Sequence, residues 1–212
     1  MIQTIVILKD MFGSAKFSIG GSGGTYNIDW GDRSPIQTVN FSNPNPITHS
    51  YNNQSVGPAH SITITTTGII KRFDCTSNQI TALHVRNCPD LQYLLCENNR
   101  LGSLDLGANQ NLSVLNCKQN ALKNLSVMHN HQLQQLDCAS NGLNSLNLTW
   151  NKLLNHLDCS LNDIQTKELN ELFKTLHNSN FQKQISISNN PGAASCTRLL
   201  AENKGWTFVQ YF

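Results

Sequence analysis

Charged residues and long apolar runs are both scarce in this chain of 212 residues. Only 13% of the residues are charged and the formal net charge is +2, whereas about one-quarter of a typical domain is charged. Because there is no basic block, the sequence has no electrostatic footprint for nucleic acid or an anionic membrane. No apolar run approaches the roughly 20 residues of a bilayer-spanning helix. We therefore expect no nucleic-acid partner and no membrane span.

The sequence also lacks the common signatures of enzymes. It contains no HExxH and no glycine-rich phosphate loop ahead of a helix. The glycine cluster GGSGG at residues 20–24 has no helix after it and is predicted to form a hairpin turn. Asp29 and Asp32, beside Trp30 and Gly31, either form a weak Ca²⁺ site or cap the backbone of their own turn. We prefer the second interpretation because it is the common role of Asp in turns. The sequence predicts a protein without catalytic residues, metal or cofactor.

The seven cysteines match no CxxC zinc pattern, and their odd number leaves at least one unpaired within the chain. Five of them recur every 21 residues, and five asparagines follow with the same period. These two series are Cys75, Cys96, Cys117, Cys138 and Cys159, and Asn78, Asn99, Asn120, Asn141 and Asn162. The repeating unit is LxxLxCxxNxLxxLxLxxNxx, a leucine-rich pattern with cysteine in its third leucine position.

The repeat gives both series a structural interpretation. Each cysteine is predicted to point into a coil of the chain and to pack there as a small hydrophobe. A soft-metal or redox column is the alternative, since neighbouring coils lie roughly 4.8 Å apart, but no His or second Cys recurs beside it. Each asparagine is predicted to bond backbone groups that a corner leaves unpaired. Asn109, Asn130 and Asn151, with Cys88 before them, form a matching second series.

The predicted fold is a β-rich solenoid, a right-handed leucine-rich-repeat coil with strand-like segments on both sides, over residues 69–212. A solenoid needs capped ends. From about residue 162, DIQTKELNELFKTLHNSN predicts a helix, FQKQISISNNPG a last strand, AASCTRLLAENKG a short helix and WTFVQYF a closing strand. Residues 1–68 contain short alternating segments between turn clusters, which predicts a small all-β sandwich as the N-terminal domain. No flexible linker precedes the first coil, so this domain is expected to share an interface with the repeat and to act with it as one rigid body.

Two family resemblances follow from these motifs. Residues 70–190, with units such as LQQLDCASNGLNSLNLTWNKL, resemble the leucine-rich-repeat surface proteins of bacterial gut commensals, whose units read LxxLDCSxNxLxxLDLSxNxx. The segments IDWGDRSP, ITHSY and SITITTTG resemble the PKD-like domain pattern. Such proteins are exported and displayed, so the resemblance implies an extracellular or cell-surface location.

Outward positions on the cysteine-side strands are the candidate binding residues. They are Tyr93, Leu95, Val114, Asn116, Gln135, Asp137, His156 and Asp158. Tyr93, Leu95 and Val114 would form a central apolar patch, which marks a binding site or reflects only the strand propensity of such residues. Trp150, at an outer corner, is either a second anchor or packs on the capping helix, and packing is preferred.

The sequence therefore predicts a non-enzymatic, surface-exposed or secreted binding module for a protein or a glycan. A structural spacer without its own ligand is the alternative. A glycan-active enzyme is a remote third possibility, because Asp137 and Asp158 on adjacent coils would lie roughly 4.8 Å apart, near the separation of a glycosidase carboxylate pair.

Overall fold

The computed structural model describes residues 2–10, 13–42, 46–51 and 59–210, and it is rich in strands. In chain order the described elements are β1 (Gln3–Lys9), β2 (Ser14–Ser22), β3 (Thr25–Asp29), β4 (Gln37–Asn40), β5 (Ile47–Ser50), β6 (His60–Thr66), β7 (Ile69–Asp74), β8 (Ile80–His84), β9 (Tyr93–Leu95), β10 (Val114–Asn116), β11 (Gln135–Asp137), β12 (His156–Asp158), α1 (Thr166–Thr175), β13 (Lys183–Ser186), α2 (Leu199–Glu202) and β14 (Trp206–Phe208). Neither described helix is long or apolar enough to cross a membrane.

A stack of parallel strands forms the repeat region. Strands β7 and β9 to β14 pair in parallel within a nine-stranded sheet whose order is β14-β13-β12-β11-β10-β9-β7-β2-β5. Leu94, Leu115, Leu136 and Leu157 lie opposite one another in this register, and each is fully buried. The parallel stack and its leucine core give the chain a β-rich, leucine-rich-repeat-like fold.

The N-terminal strands are antiparallel and continue into the first coil. The second sheet has the order β4-β3-β6-β1-β8, and β2 pairs antiparallel with β7 in the first sheet. Strands β7 and β8 both belong to the first coil. Each sheet therefore contains strands from before and after residue 68. Phe17 on β2 stacks 5.8 Å from Trp30 and packs 5.8 Å from Phe73. The two parts of the chain thus share both sheets, and their division into domains at residue 68 stays a prediction.

The asparagine series joins consecutive coils. The Asn120 side-chain Nδ2 donates to the carbonyl oxygens of Cys96, Cys117 and Lys118 at 3.0–3.2 Å. Its Oδ1 accepts the Leu101 N–H at 3.0 Å. One amide therefore satisfies backbone groups that the corner removes from the strand ladder.

The same asparagine column reaches beyond the five residues of the sequence series. At the N-terminal end, Asn78 exchanges hydrogen bonds of 2.7 and 2.8 Å with the backbone of Lys16 on β2. At the other end, Asn190 donates to the carbonyl oxygens of Cys159 and Ile187, both at 2.9 Å, and accepts the Ile164 N–H. The column thus ties the N-terminal strands and the C-terminal cap to the repeat.

Each corner also contains a residue in the left-handed backbone region, directly before the column asparagine. These residues are Ser77, Asn98, Gln119, Ser140, Leu161 and Asn189, with φ between 52° and 59°. A left-handed conformation is costly for most side chains other than glycine and asparagine. Leucine is the least suited residue of this set to the left-handed region. The Leu161 side chain is 50% exposed, so packing offsets only part of the conformational cost.

We expect Leu161→Asn to raise the free energy of unfolding by about 0.5–1 kcal/mol, because asparagine tolerates the left-handed region better than leucine. Urea unfolding measures the change. Leu161→Ala is the matched control, since it removes the same exposed side chain without relieving the backbone. Equal stabilities for the two variants would contradict the backbone explanation.

The second half of each coil differs from the prediction. Strand-like segments were expected on both sides of every coil, but among the described residues only the first coil has a second-half strand, β8, which pairs with β1. That expectation is wrong for the later coils, where side-chain amides take the place of a ladder. The buried Asn130 Nδ2 donates to the carbonyl oxygens of Leu106 and Asn109 at 3.1 and 2.8 Å.

Two helices and two strands close the C-terminal end, as the sequence predicts. Helix α1 buries Leu169, Leu172 and Phe173. The Lys204 ammonium donates to the carbonyl oxygens of Phe173, Lys174 and Leu176 at 2.6–3.0 Å, where α1 leaves carbonyls unpaired. Strands β13 and β14 extend the parallel stack beyond β12.

Candidate functional site

The strand register brings the eight candidate residues together in two parallel rows. One row contains Tyr93, Val114, Gln135 and His156, and the other contains Leu95, Asn116, Asp137 and Asp158. Adjacent members of a row lie on neighbouring strands, about 4.8 Å apart. Whether these residues bind a ligand stays a prediction; the surface that they form is called the strand face below.

Exposure differs from residue to residue along the strand face, where Tyr93 and Gln135 are exposed and Asp158 is buried. Tyr93 is 39% exposed, whereas Asp158 is only 6% exposed. Leu95 and Val114 are half-buried on the two strands beside each other. The guanidinium of Arg72 lies 5.9 Å from the centre of the Tyr93 ring, within the range of a cation–π contact. The accessible apolar part of the face is therefore centred on β9 and β10.

The polar row has a structural task that the sequence reasoning missed. Asp137 Oδ1 accepts the Ala139 N–H at 3.2 Å, and Asp158 Oδ1 accepts the Ser160 N–H at 2.9 Å. Asn116 Oδ1 accepts the Lys118 N–H at 3.2 Å in the same way. The available signal was the preference of Asp and Asn for bonding the backbone two residues onward.

Charged groups next to the apolar patch form a small network. Lys118 Nζ lies 3.5 Å from a Glu97 carboxylate oxygen and 3.7 Å from one of Asp137. Asn116 donates its amide to Glu97. Glu97 and Lys118 were not among the candidate residues, although they occupy the next outward row of the same coils. They give the patch a polar rim.

Asp137 and Asp158 are directly opposite each other in the register of β11 and β12. Burial raises the pKa of the Asp137 carboxyl, and the charge of Asp158 raises it further, while its backbone hydrogen bond and Lys118 oppose the shift without cancelling it. Both carboxylates also accept a backbone N–H at the corner that follows their strand. The pair therefore stabilises the fold and also sets the local charge of the strand face.

The Asp29–Asp32 turn is held by its own side chains. Asp29 Oδ1 accepts the Gly31 N–H at 2.9 Å, and Asp32 Oδ1 accepts the Ser34 N–H at 3.0 Å. Asp32 Oδ2 lies 2.7 Å from His49 Nε2. Among the described residues, no group of three His, Cys, Asp or Glu side chains is arranged to hold a metal ion. The observed contacts are those of the turn-capping interpretation.

We expect acid to weaken the fold partly through Asp32. Burial disfavours the Asp32 carboxylate, but hydrogen bonds from Ser34 and His49 outweigh it and lower its pKa from 3.8 to about 2. A carboxyl with a lowered folded-state pKa contributes stability above its unfolded value, and that contribution is lost as the pH falls from about 4 toward 2.

Asp32→Asn should remove this dependence and cost on the order of 1 kcal/mol at neutral pH. Urea unfolding at pH 6, 4 and 2.5 measures it. Asp29→Asn is the control, since it alters the same turn without touching His49. An acid dependence that is unchanged in Asp32→Asn would contradict the assignment.

Trp150 is exposed rather than packed. Its side chain is 57% exposed, so the preferred interpretation, packing on the capping helix, is wrong. The ring of His131 meets the indole edge-on at 6.2 Å. Trp150 and the strand face belong to different halves of their coils.

Comparisons with known proteins find bacterial leucine-rich-repeat structures. No protein-family model and no curated protein matches the chain. The functional domain of InlJ from Listeria monocytogenes, a structure described as including a cysteine ladder, is 30% identical over 55% of this chain, with a TM-score of 0.47. A leucine-rich-repeat protein of Leptospira interrogans is 18% identical over 59% of this chain, with a TM-score of 0.36. The chain corresponds to 25% and 44% of these two chains.

Proposed function

We propose that the protein is a non-enzymatic binding module that recognises a protein or a glycan through the strand face. The observation that carries this proposal is the placement of the exposed Tyr93 ring beside the half-buried Leu95 and Val114 on adjacent parallel strands. An exposed apolar group with a polar rim is typical of an interaction site.

The rigidity of the face favours binding. Each strand is fixed by its neighbours and by the asparagine column, and Arg72 lies against the Tyr93 ring. A ligand that docks here orders few additional groups, so less of the contact energy is lost as conformational entropy. Tyrosine is also a frequent anchor at interfaces, since it buries a large ring with only two side-chain torsions.

The charge of the face limits the kind of recognition. Lys118 pairs with both Glu97 and Asp137, so this cluster keeps only one net negative charge, and the whole chain has a formal net charge of only +2. Long-range steering would therefore be weak. Shape and hydrogen bonding carry the proposed recognition, which suits a neutral protein surface or a glycan.

The proposed location is outside the cell, at its surface or in the medium. The resemblance of the repeat to displayed bacterial proteins and of the N-terminal strands to a PKD-like domain supports this part of the proposal. Cell fractionation of the native source tests it, and a cytosolic chain would contradict it.

A binding screen against extracellular host proteins and glycans tests the function. Wild type would be compared with Tyr93→Ala/Val114→Ser, which we expect to weaken any strand-face ligand at least about 10-fold. Lys123→Ser, an exposed change in the second half of a coil, is the matched control. All three proteins should unfold at similar temperatures, so that a lost signal reports the surface.

The outcomes separate the candidate functions. A ligand that is lost in the double variant and kept by Lys123→Ser supports the binding module. The absence of any ligand would favour the structural spacer. The two sheets contain strands from both sides of residue 68, and the rigid connection that they provide suits a spacer. Turnover of a bound glycan that Asp137→Asn abolishes would contradict the non-enzymatic proposal.

A further inference from the structure

A shallow groove lies between the second halves of two neighbouring coils, away from the strand face. Its volume is about 310 Å³, near the lower end for small-molecule sites. We call it the Trp150 groove. Its lining includes Asn124, Ser126 and Met128 from one coil, and Ser145, Asn147 and Trp150 from the next.

The walls of the Trp150 groove are large apolar side chains that face solvent. Met128 is 49% exposed and Trp150 is 57% exposed, whereas the other two tryptophans, Trp30 and Trp206, are 1% and 2% exposed. The matching positions one coil before Met128 and two coils before Trp150 contain Gly107 and Ala108. The repeat therefore does not require these walls, and the edge-on contact of His131 leaves more than half of Trp150 exposed.

The rest of the lining is uncharged: the nearly buried Leu125 and Leu146 alternate with polar side chains. The side chains of Asn124 and Ser126 make no hydrogen bond with any residue that the structure describes. Asn147 uses its Oδ1 to accept the Thr149 N–H at 2.9 Å, which leaves its two amide hydrogens for a ligand. Amide and hydroxyl groups can both donate and accept, so the groove offers neutral hydrogen bonding beside an open aromatic face.

We propose that the Trp150 groove binds one neutral pyranose ring, either a free sugar or the end of a glycan. A pyranose has an apolar face of C–H bonds that packs on the negative face of an indole. Its hydroxyl groups would lie against Asn124, Ser126 and Asn147, which can donate to them and accept from them. An acyl chain would leave these polar groups without hydrogen bonds. A charged ligand would have no residue of opposite charge among the lining residues.

Tryptophan fluorescence provides a direct test, because Trp150 is the exposed tryptophan of the three. The probes are the methyl pyranosides of glucose, galactose, mannose and N-acetylglucosamine, together with one oligosaccharide ending in the best of them. We expect a dissociation constant on the order of 1–10 mM for a ligand of this size. Binding should shift the emission to shorter wavelength and reduce acrylamide quenching at least about two-fold.

Variants and control ligands decide the result. Trp150→Ala should abolish the response, Met128→Ala should weaken binding at least about three-fold, and Lys167→Ser, an exposed change on α1, should leave it unchanged. Cyclohexanol and glucuronate are the control ligands. The inference is overturned if none of the pyranosides changes the quenching at 100 mM, if Trp150→Ala keeps the response, or if cyclohexanol binds as well as the sugars. A weaker response to the oligosaccharide than to the monosaccharide would assign the site to free sugar.

Discussion

The variant Asn141→Ala is expected to lose at least about 3 kcal/mol of the free energy of unfolding. The Asn141 Nδ2 donates to the carbonyl oxygens of Cys117, Cys138 and Ala139 at 3.1–3.2 Å, and its Oδ1 accepts the Leu122 N–H at 3.0 Å. Alanine would remove all four hydrogen bonds and leave the Leu122 N–H without this partner. The three carbonyl oxygens each keep one other donor, namely Asn120 Nδ2, Asn162 Nδ2 and the Gln119 N–H. A hydrogen bond contributes about 0.5–1.5 kcal/mol and an unsatisfied buried donor costs about 1–3 kcal/mol, so together they reach about 3 kcal/mol.

The matched control for this change is Asn144→Ala, three residues along the same coil. The Asn144 side chain is exposed and contacts the hydroxyl of Ser145, so we expect a change within about 0.5 kcal/mol. Urea unfolding of both variants measures the difference. Equal stabilities would show that the column asparagines are ordinary corner residues rather than the links between coils.

A second large effect is expected in the reactivity of the thiols. The five recurring cysteines and Cys88 are fully buried, whereas Cys196 is half-buried. Burial raises the pKa of all seven thiols, including that of Cys196, and only the thiolate reacts readily. Access of a reagent to the sulfur therefore separates Cys196 from the other six. We expect Cys196 to react with a maleimide in the folded protein, and the six buried thiols to react at least about 1000-fold more slowly than in urea.

The variant Cys196→Ser isolates the buried thiols. In the folded variant, mass spectrometry should find almost no labelled protein after a time that labels the denatured chain completely. Rapid labelling of Cys96, Cys117 or Cys138 in the folded protein would contradict the packed-column interpretation. Such a result would also revive the soft-metal or redox alternative, since both need accessible thiolates.

The repeat region could be predicted from the sequence because the same residue types recur at the same positions of every coil. A residue in the third leucine position must face the interior of each coil, so Cys117 and its equivalents could be placed from the spacing alone. An asparagine that recurs after each short strand predicted a column of side-chain hydrogen bonds, which Asn120 makes with Cys96, Cys117 and Leu101. The capping helix followed from the spacing of Leu169, Leu172 and Phe173.

The features that the sequence left hidden depend on distant parts of the chain. Pairing of β8 with β1, and of β7 with β2, joins segments that are separated by more than forty residues, and periodicity has no signal for such pairing. The exposure of Trp150 and the near burial of Asp158 depend on what neighbouring coils present. A short repeat predicts which of the candidate binding residues share a face. It does not predict how exposed each of them is, because exposure depends on packing against the neighbouring coils.

The most direct test of the strand face is hydroxyl-radical footprinting of the complex with the tightest ligand from the screen. Tyr93, Met128 and Trp150 are exposed and oxidisable, so one experiment reports on both surfaces. We expect the bound ligand to slow the oxidation of Tyr93 several-fold. If the ligand contains no pyranose, the oxidation rates of Met128 and Trp150 should stay unchanged. Unchanged oxidation of Tyr93 in a saturated complex would contradict this expectation and would assign recognition to another surface.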